Sequence, residues 1–335
     1  MNTVRFFSIS GLFIGLLILA GLIIWQGVGE VITLLLEGGW LLLTLPLIWL
    51  PGFIIQVHGW KYLFPTGRVP PFRELFLAMW MGRAINTLLP VATIGGDVAR
   101  ARLLHLWGRD GMDACASVMV DKAVQALALV PWSIIGACLM LMLAIDDQLA
   151  LYIAAGILLF GLNVVGFIFL QRKGMFGFSA RLIARFNSSE NWLRITDNAH
   201  SVDDIVRELY AHKRRFMASL FWRTLGLVLT TGEVWLACYL LGYPVSIIEA
   251  LILKSLTQII TDIAFVIPNG YGVQEGGFMA IGALVGLAPD VGLAVSLAIR
   301  IREVVFDVPG LLLWHHIEVK YLFRKAAAHP SPDKV

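Results

Sequence analysis

Several ionisable residues of this chain stand inside apolar stretches, and their spacing sorts them into groups. Arg300, Glu303 and Asp307 fall at i, i+3 and i+7, so a helix there presents all three on one face. Asp121 and Gln125 share a face in the same way, with Lys122 about 100° round the helix. Arg83 and Asn86 are one turn apart, as are Asp97 and Arg100, and Glu275 precedes the pair Gly276–Gly277. A charge near the centre of a bilayer costs about 2.5–3.5 kcal/mol on insertion scales, so it must be paired or face water. Two chemistries fit. Lys122 and Arg300 suit a phosphate or another anionic headgroup, while Asp97 and Glu275 suit helix caps or proton carriers. Alternatively the charges pair among themselves and only hold a bundle together. The set as a whole favours a polar cavity, because pairing alone does not explain the broken apolar segments beside both groups.

Other chemistry is poorly served. No GxGxxG, GxxxxGK[ST], GxSxG or HExxH pattern is present, which leaves no basis for a nucleotide loop, a hydrolase or a zinc protease. Cys115, Cys138 and Cys238 lie in apolar runs without metal-type spacing and read as packing residues. His315–His316 ends the last apolar run and reads as an interfacial pair. No enzymatic activity, cofactor, metal or nucleic-acid partner is expected.

The elements that position these residues follow from composition. The 335 residues are 58% hydrophobic and 15% charged, with a mean hydropathy of +0.79. Soluble domains carry about 25% charged residues. A chain this apolar has lipid as much of its solvent, where every backbone donor and acceptor must be paired internally. The apolar runs are near twenty residues long, which selects helices over barrel strands. The expected fold class is all-α, a polytopic membrane helical bundle.

Phe6 to Trp25 reads as a retained first span and Gly39 to Val57 as a second. The loop between them holds Glu30 and Glu37 but no Lys or Arg, whereas Lys61, Arg68 and Arg73 follow the second span. Positive residues mark the cytoplasmic side, so both termini are expected there. Pro71 to Leu89 is interrupted by Glu74, Arg83 and Asn86 and ends at Pro90. It reads with the segment after Gly95 as a re-entrant hairpin. Ala114 to Ala144 and Leu149 to Leu170 are two further spans. Residues 171–216 hold nine Lys or Arg and five Asp or Glu, and read as a cytoplasmic segment. Within it Val202, Ile205, Val206 and Leu209 suggest an amphipathic helix lying on the headgroups, or an ordinary solvated linker. Phe216 to Leu241 crosses again. Val245 to Ile267, carrying Lys254, Gln258, Thr261 and Asp262, ends at Pro268 and starts a second hairpin. Val291 to Trp314 is the last span, and 326–335 a disordered tail. Six spans and two hairpins result, in one membrane domain over 1–325. Trp25, Trp40, Trp60 and Trp314 fall near span ends as interface anchors, and Trp49 and Trp132 lie inside spans as packing residues.

The two hairpins repeat. Pro90 and Pro268, Asp97 and Glu275, Gly108 and Gly286, Lys122 and Arg300, and Pro131 and Pro309 each stand 178 positions apart. The four prolines would serve as hinges. Repeat 1 covers about 71–144 and repeat 2 about 245–318. Arg100, Arg102 and Arg109 follow Asp97, whereas no Lys or Arg lies between Glu275 and Arg300. The two copies therefore face opposite sides, as inverted repeats, an arrangement that in secondary transporters places binding sites near the midplane.

Asn86-Thr-Leu-Leu-Pro90 with Gly95-Gly96-Asp97 and Arg100, Ser117-Val-Met-Val-Asp-Lys122, and Pro268-Asn-Gly-Tyr-Gly-Val-Gln-Glu275 with Arg300 resemble the signature of the lysylphosphatidylglycerol synthase transmembrane, or flippase-like, family. Gly232-Glu-Val-Trp-Leu and Val273-Gln-Glu-Gly-Gly-Phe look like its hopanoid-associated branch. Asp97 replaces the usual Glu, and Asp121-Lys122 the usual Glu-Arg; Lys cannot make the bidentate fork of Arg. The resemblance implies a bacterial inner-membrane protein with a lipid-translocating domain. The synthases fuse that domain to a soluble catalytic one, and the end of this chain at Val335 leads us to expect no synthase activity.

Three functions follow. The first is a flippase or transporter of a polar, anionic or hopanoid-type lipid. Its substrate would meet Arg83, Asn86, Asp97, Arg100, Asp121, Lys122, Gln125, Glu275, Arg300 and Glu303. The second is a scaffold that docks lipid-biosynthetic enzymes through 171–216. The third is a membrane enzyme using Asp97 and Glu275 as acid and base.

Overall fold

The computed structural model describes residues 28–89, 95–142, 204–264 and 267–328, with separate positions among 13–25 and 158–169. Pro90, most of the first expected span, most of 149–203, and 329–335 lie outside the described residues. Among the described residues the secondary structure is helical. The helices are α1 (Val28–Gly38), α2 (Leu45–Trp60), α3 (Phe72–Leu88), α4 (Gly95–Leu106), α5 (Gly111–Met142), α6 (Lys213–Leu240), α7 (Ile247–Ile263), α8 (Val273–Leu284) and α9 (Pro289–Ala328). Gly39, at φ 57°, starts a 3-10 segment that joins α1 to α2. Among the described residues two stretches, Val31–Leu63 and Gly111–Met140, are long and apolar enough to cross a membrane alone.

Lengths separate two kinds of helix. At 1.5 Å per residue, the 32 residues of α5 reach about 48 Å and the 40 residues of α9 about 60 Å, more than a bilayer core. Each continues through its internal proline, Pro131 or Pro309. The helices before them are short. Both α3 and α7 have 17 residues, and both α4 and α8 have 12. Each 12-residue helix ends in a left-handed glycine, Gly108 at φ 82° and Gly286 at φ 85°. Beyond each, an N–H returns to a carbonyl five residues back, Arg109 to Leu104 at 3.0 Å and Leu287 to Gly282 at 2.9 Å. That geometry satisfies the last carbonyls of the helix and needs a residue without a Cβ.

The helices form two halves, α2–α5 and α6–α9, and α2 meets α6 along the most extensive helix pair. A Cβ added at Gly52 would lie 2.7 Å from the Gly226 oxygen, and one at Gly226 would lie 2.8 Å from the Gly52 oxygen. Seven residues on, Gly59 faces the Ser219 oxygen, so the pair runs antiparallel with backbones touching. Such close approach through small residues is how helices associate where lipid gives no hydrophobic drive. The halves also cross over. Trp80, the ninth residue of α3, donates its Nε1–H to the Phe306 oxygen of α9 at 2.9 Å and packs on Gly310. Ser255, the ninth residue of α7, packs on Gly136 of α5.

Each half has its own apolar core. Trp60, Leu75, Leu103 and Val120 belong to the first, and Ala237, Leu253, Phe278 and Val295 to the second. Helical residues 204–211 bury Val206, Leu209 and Tyr210 in the first core. The apolar face expected on headgroups therefore meets the protein's own core. Trp60 is likewise buried rather than an interface anchor, since the Arg100 guanidinium stacks 4.0 Å above its ring. Trp25 and Trp40 are exposed, and the three cysteines are free thiols.

Candidate functional site

Between the halves lies a cavity of about 560 Å³, walled by α2–α9 and the hairpin tip at Pro268–Gly270. Arg83, Asn86, Asp97, Arg100, Lys122, Gln125 and Glu303 line it. Asp121, Glu275 and Arg300 are not on its wall; they stand behind it and hold the residues that are.

In the first half, Asp121 is the centre. Its Oδ2 accepts from Arg100 Nη2 at 2.6 Å and from Gln125 Nε2 at 2.9 Å, and its Oδ1 accepts from Arg223 of α6. Arg223 also donates to Gln56 Oε1 at 3.0 Å. Asp97 meets Arg100 at 3.4 Å and Lys122 Nζ at 2.9 Å. Three cations thus face two carboxylates, and Lys122, 41% exposed at the side chain, is the open member. The N-terminus of α4 is tied back to α3 by the Gly96 N–H, which donates to Asn86 Oδ1 at 2.7 Å. The approach is tight, since a Cβ on Gly96 would fall 1.9 Å from the Gly82 oxygen.

The second half is closed. Glu275 Oε2 accepts from the N–H of Gly272, at the start of its own helix, at 2.7 Å, and Oε1 accepts from Arg300 Nε at 2.8 Å. Arg300 also reaches Glu303 at 2.9 Å and lies over the Tyr271 ring. The tip is built for this. Asn269 (φ 52°), Gly270 (φ 58°) and Gly272 (φ 78°) are all left-handed, and Asn269 Nδ2 donates to Glu303 at 3.0 Å. Glu233 of α6 accepts from Lys254 and Arg302, each at 2.7 Å. Arg83 bridges across from α3, 3.6 Å from Glu303 and 3.3 Å from Asp307. The guanidinium groups of Arg83 and Arg302 both lie 4.6 Å from the Trp49 ring, so this tryptophan is a shared platform for two cations. Among these residues Glu233, Glu275, Glu303 and Asp307 balance Arg83, Lys254, Arg300 and Arg302, and Asp262 of α7 stands outside the set.

Arg223, Arg302 and Gln56 were not singled out from the sequence, and Glu233 entered only within the motif Gly232-Glu-Val-Trp-Leu. The signal existed for two of them, because Arg223 and Glu233 are isolated charges within an otherwise apolar stretch of α6. Gln56 gave none. Lys254, Gln258, Thr261 and Asp262, read only as interruptions, line the cavity. Among the described residues no three His, Cys, Asp or Glu side chains gather as a metal site.

Residues 12–309 match the family model described as the lysylphosphatidylglycerol synthase TM region. A UPF0104 membrane protein of Methanothermobacter thermautotrophicus is 24% identical over 304 residues, covering 86% of this chain and 88% of the relative. Another UPF0104 membrane protein, from Methanocaldococcus jannaschii, is 22% identical over 316 residues, covering 90% and 91%. No solved structure matches. With its apolar helices and a family match across most of its length, this chain is a membrane protein belonging to the lysylphosphatidylglycerol synthase TM region family.

Proposed function

We propose that the protein moves a polar or anionic lipid between leaflets, receiving the headgroup in the cavity between its two halves. The observation that carries this reading is the cavity itself, a polar space of ligand size set between two apolar cores. The three first-half cations against two carboxylates, with Lys122 exposed, make a phosphate-bearing headgroup the best match. Arg83 and Arg100 would add forked contacts, while Arg300, committed to Glu275 and Glu303, keeps the opposite hairpin shut. No covalent step is required of any residue.

The same reading takes the halves as inverted repeats. Supporting it are the antiparallel α2–α6 pair, the equal helix lengths, the glycine ends 178 positions apart, and the reciprocal docking of Trp80 and Ser255. On this view α3–α4 and α7–α8 are hairpins entering from opposite sides of a bacterial inner membrane, and both termini are cytoplasmic.

The test uses proteoliposomes carrying acyl-labelled phosphatidylglycerol, or a labelled hopanoid in a parallel arm, with leaflet accessibility as readout. The expected result is movement with wild type and at least about tenfold slower movement with Lys122→Ala, the effect of losing one charge-assisted contact. A folded wild type that moves neither lipid overturns the transport reading and favours a scaffold.

A further inference from the structure

Three carboxylates stand at the ends of the broken helices, and helix polarity treats them differently. Asp97 and Glu275 are each the third residue of a short helix, α4 or α8, where the positive end of the dipole favours an anion. Asp262 is the penultimate residue of α7, where the unpaired carbonyls and the negative end of the dipole oppose one. The last turn of α7 holds no basic residue. Asp262 lines the cavity and accepts from Gln258 Nε2 at 3.0 Å. Among the described residues no Lys, Arg or His nitrogen comes within 4.0 Å of it. The corresponding place at the end of α3 holds a neutral residue, Thr87.

The surrounding charges are accounted for element by element. From α5, Lys122 lines the same cavity, with its ammonium on Asp97. From its own helix, Lys254 lies two turns back and is bound to Glu233. On α6, Arg223 is held by Asp121, and Glu233 is shared by Lys254 and Arg302. On α8, Glu275 is held by Arg300. Asp262 is thus a cavity carboxylate supported only by cations that other carboxylates already hold.

Resting on the transport reading above, we infer that Asp262 is a monovalent-cation site, for a proton or sodium, filled together with the anionic headgroup. The coupling is electrostatic. An anion beside Lys122 cancels positive field that otherwise offsets the carboxylate charge, so the Asp262 site gains affinity for a cation as the headgroup enters. Linkage makes this reciprocal, and a cation on Asp262 strengthens headgroup binding by the same factor. Helix C-terminal ends with exposed carbonyls serve as proton and sodium sites in other transporters built from broken helices. The gradient of that cation would then bias the direction of lipid movement.

The experiment measures binding of short-chain phosphatidylglycerol to the purified full chain in weakly buffered micelles, with a pH dye and with sodium exchanged for choline. If the cation is a proton, wild type takes up close to one proton per lipid, and affinity falls about tenfold per pH unit on the alkaline side. If it is sodium, proton uptake is absent and affinity falls when choline replaces sodium. In either case Asp262→Asn, which mimics the neutral form, loses the uptake or sodium effect and the associated pH dependence, while Asp262→Glu retains them. Binding by wild type that is indifferent to both pH and sodium overturns this inference, and lipid movement in proteoliposomes would then still uphold the transport reading. Absence of any binding by folded wild type overturns the inference along with its anionic ligand. Coupling that persists in Asp262→Asn assigns the site elsewhere and overturns it too.

Discussion

The two hairpins share their helix lengths and glycine ends, yet they hold equivalent charges in opposite conditions. In the first, Asp97 and Lys122 meet at the cavity, with side chains 15% and 41% exposed. In the second, Glu275 and Arg300 make the same contact at 0% and 11% exposure. The carboxylates differ by one methylene, and the cations are lysine and arginine. Glu275 is long enough to fold back on the Gly272 N–H while its other oxygen holds Arg300. Among the described residues Asp97 accepts no backbone N–H, and Asn86 takes the Gly96 N–H. Glu275 is both cap and counterion and stands behind the cavity, whereas Asp97 and Lys122 line it. Matched positions thus yield a closed hairpin and an open one.

The comparison breaks most severely when the closed pair is cut. Glu275→Ala leaves Arg300 with Glu303 alone and the start of α8 without its anion, and removing one partner of a buried pair costs about 3–5 kcal/mol. Thermal unfolding in detergent should show a large loss, or no folded protein. Asp97→Ala, its counterpart, should lose far less.

A second contrast lies in the helix contacts. Gly96→Ala forces a Cβ into the Gly82 carbonyl, which cannot yield, and should cost about 1–3 kcal/mol or separate α3 from α4. Gly277→Ala meets only the Thr257 methyl, at 3.0 Å, and should cost clearly less by the same unfolding assay. Equal losses would mean that the hairpins are not packed differently.

The tip of the second hairpin gives a smaller effect. Asn269→Ala loses the bond to Glu303 and places an alanine at φ 52°, at a cost of about 1–3 kcal/mol. Asn269→Gly should recover the backbone part alone, so the difference between the variants isolates the contact with Glu303.

The smallest loss of stability belongs to the open cation. Lys122→Ala should change unfolding by less than about 1 kcal/mol, since exposed pairs contribute little. Its effect should appear in lipid movement instead. Arg300→Ala should behave in the opposite way, and reversal of this pair would remove the distinction between hairpins.

Composition alone determined that this chain lives with lipid and folds into helices, because 58% apolar residues in runs near twenty leave no other way to satisfy the backbone. Spacing determined which charges share a face, since helical periodicity is local: Asp121 with Gln125, Arg300 with Glu303, and Asp97 with Arg100 are all within one turn and all touch. The fixed offset of Asp97–Lys122 and Glu275–Arg300 was equally visible. What the sequence did not contain was the partner from another helix. Arg223 on Asp121, Glu233 between Lys254 and Arg302, and Trp49 between Arg83 and Arg302 join residues 21 to 253 positions apart. Local propensity carries no information about such pairs. Only the close antiparallel contact of Gly52 with Gly226, and the docking of each hairpin on the other half, decided which charges are neutralised inside the wall and which are left facing the cavity.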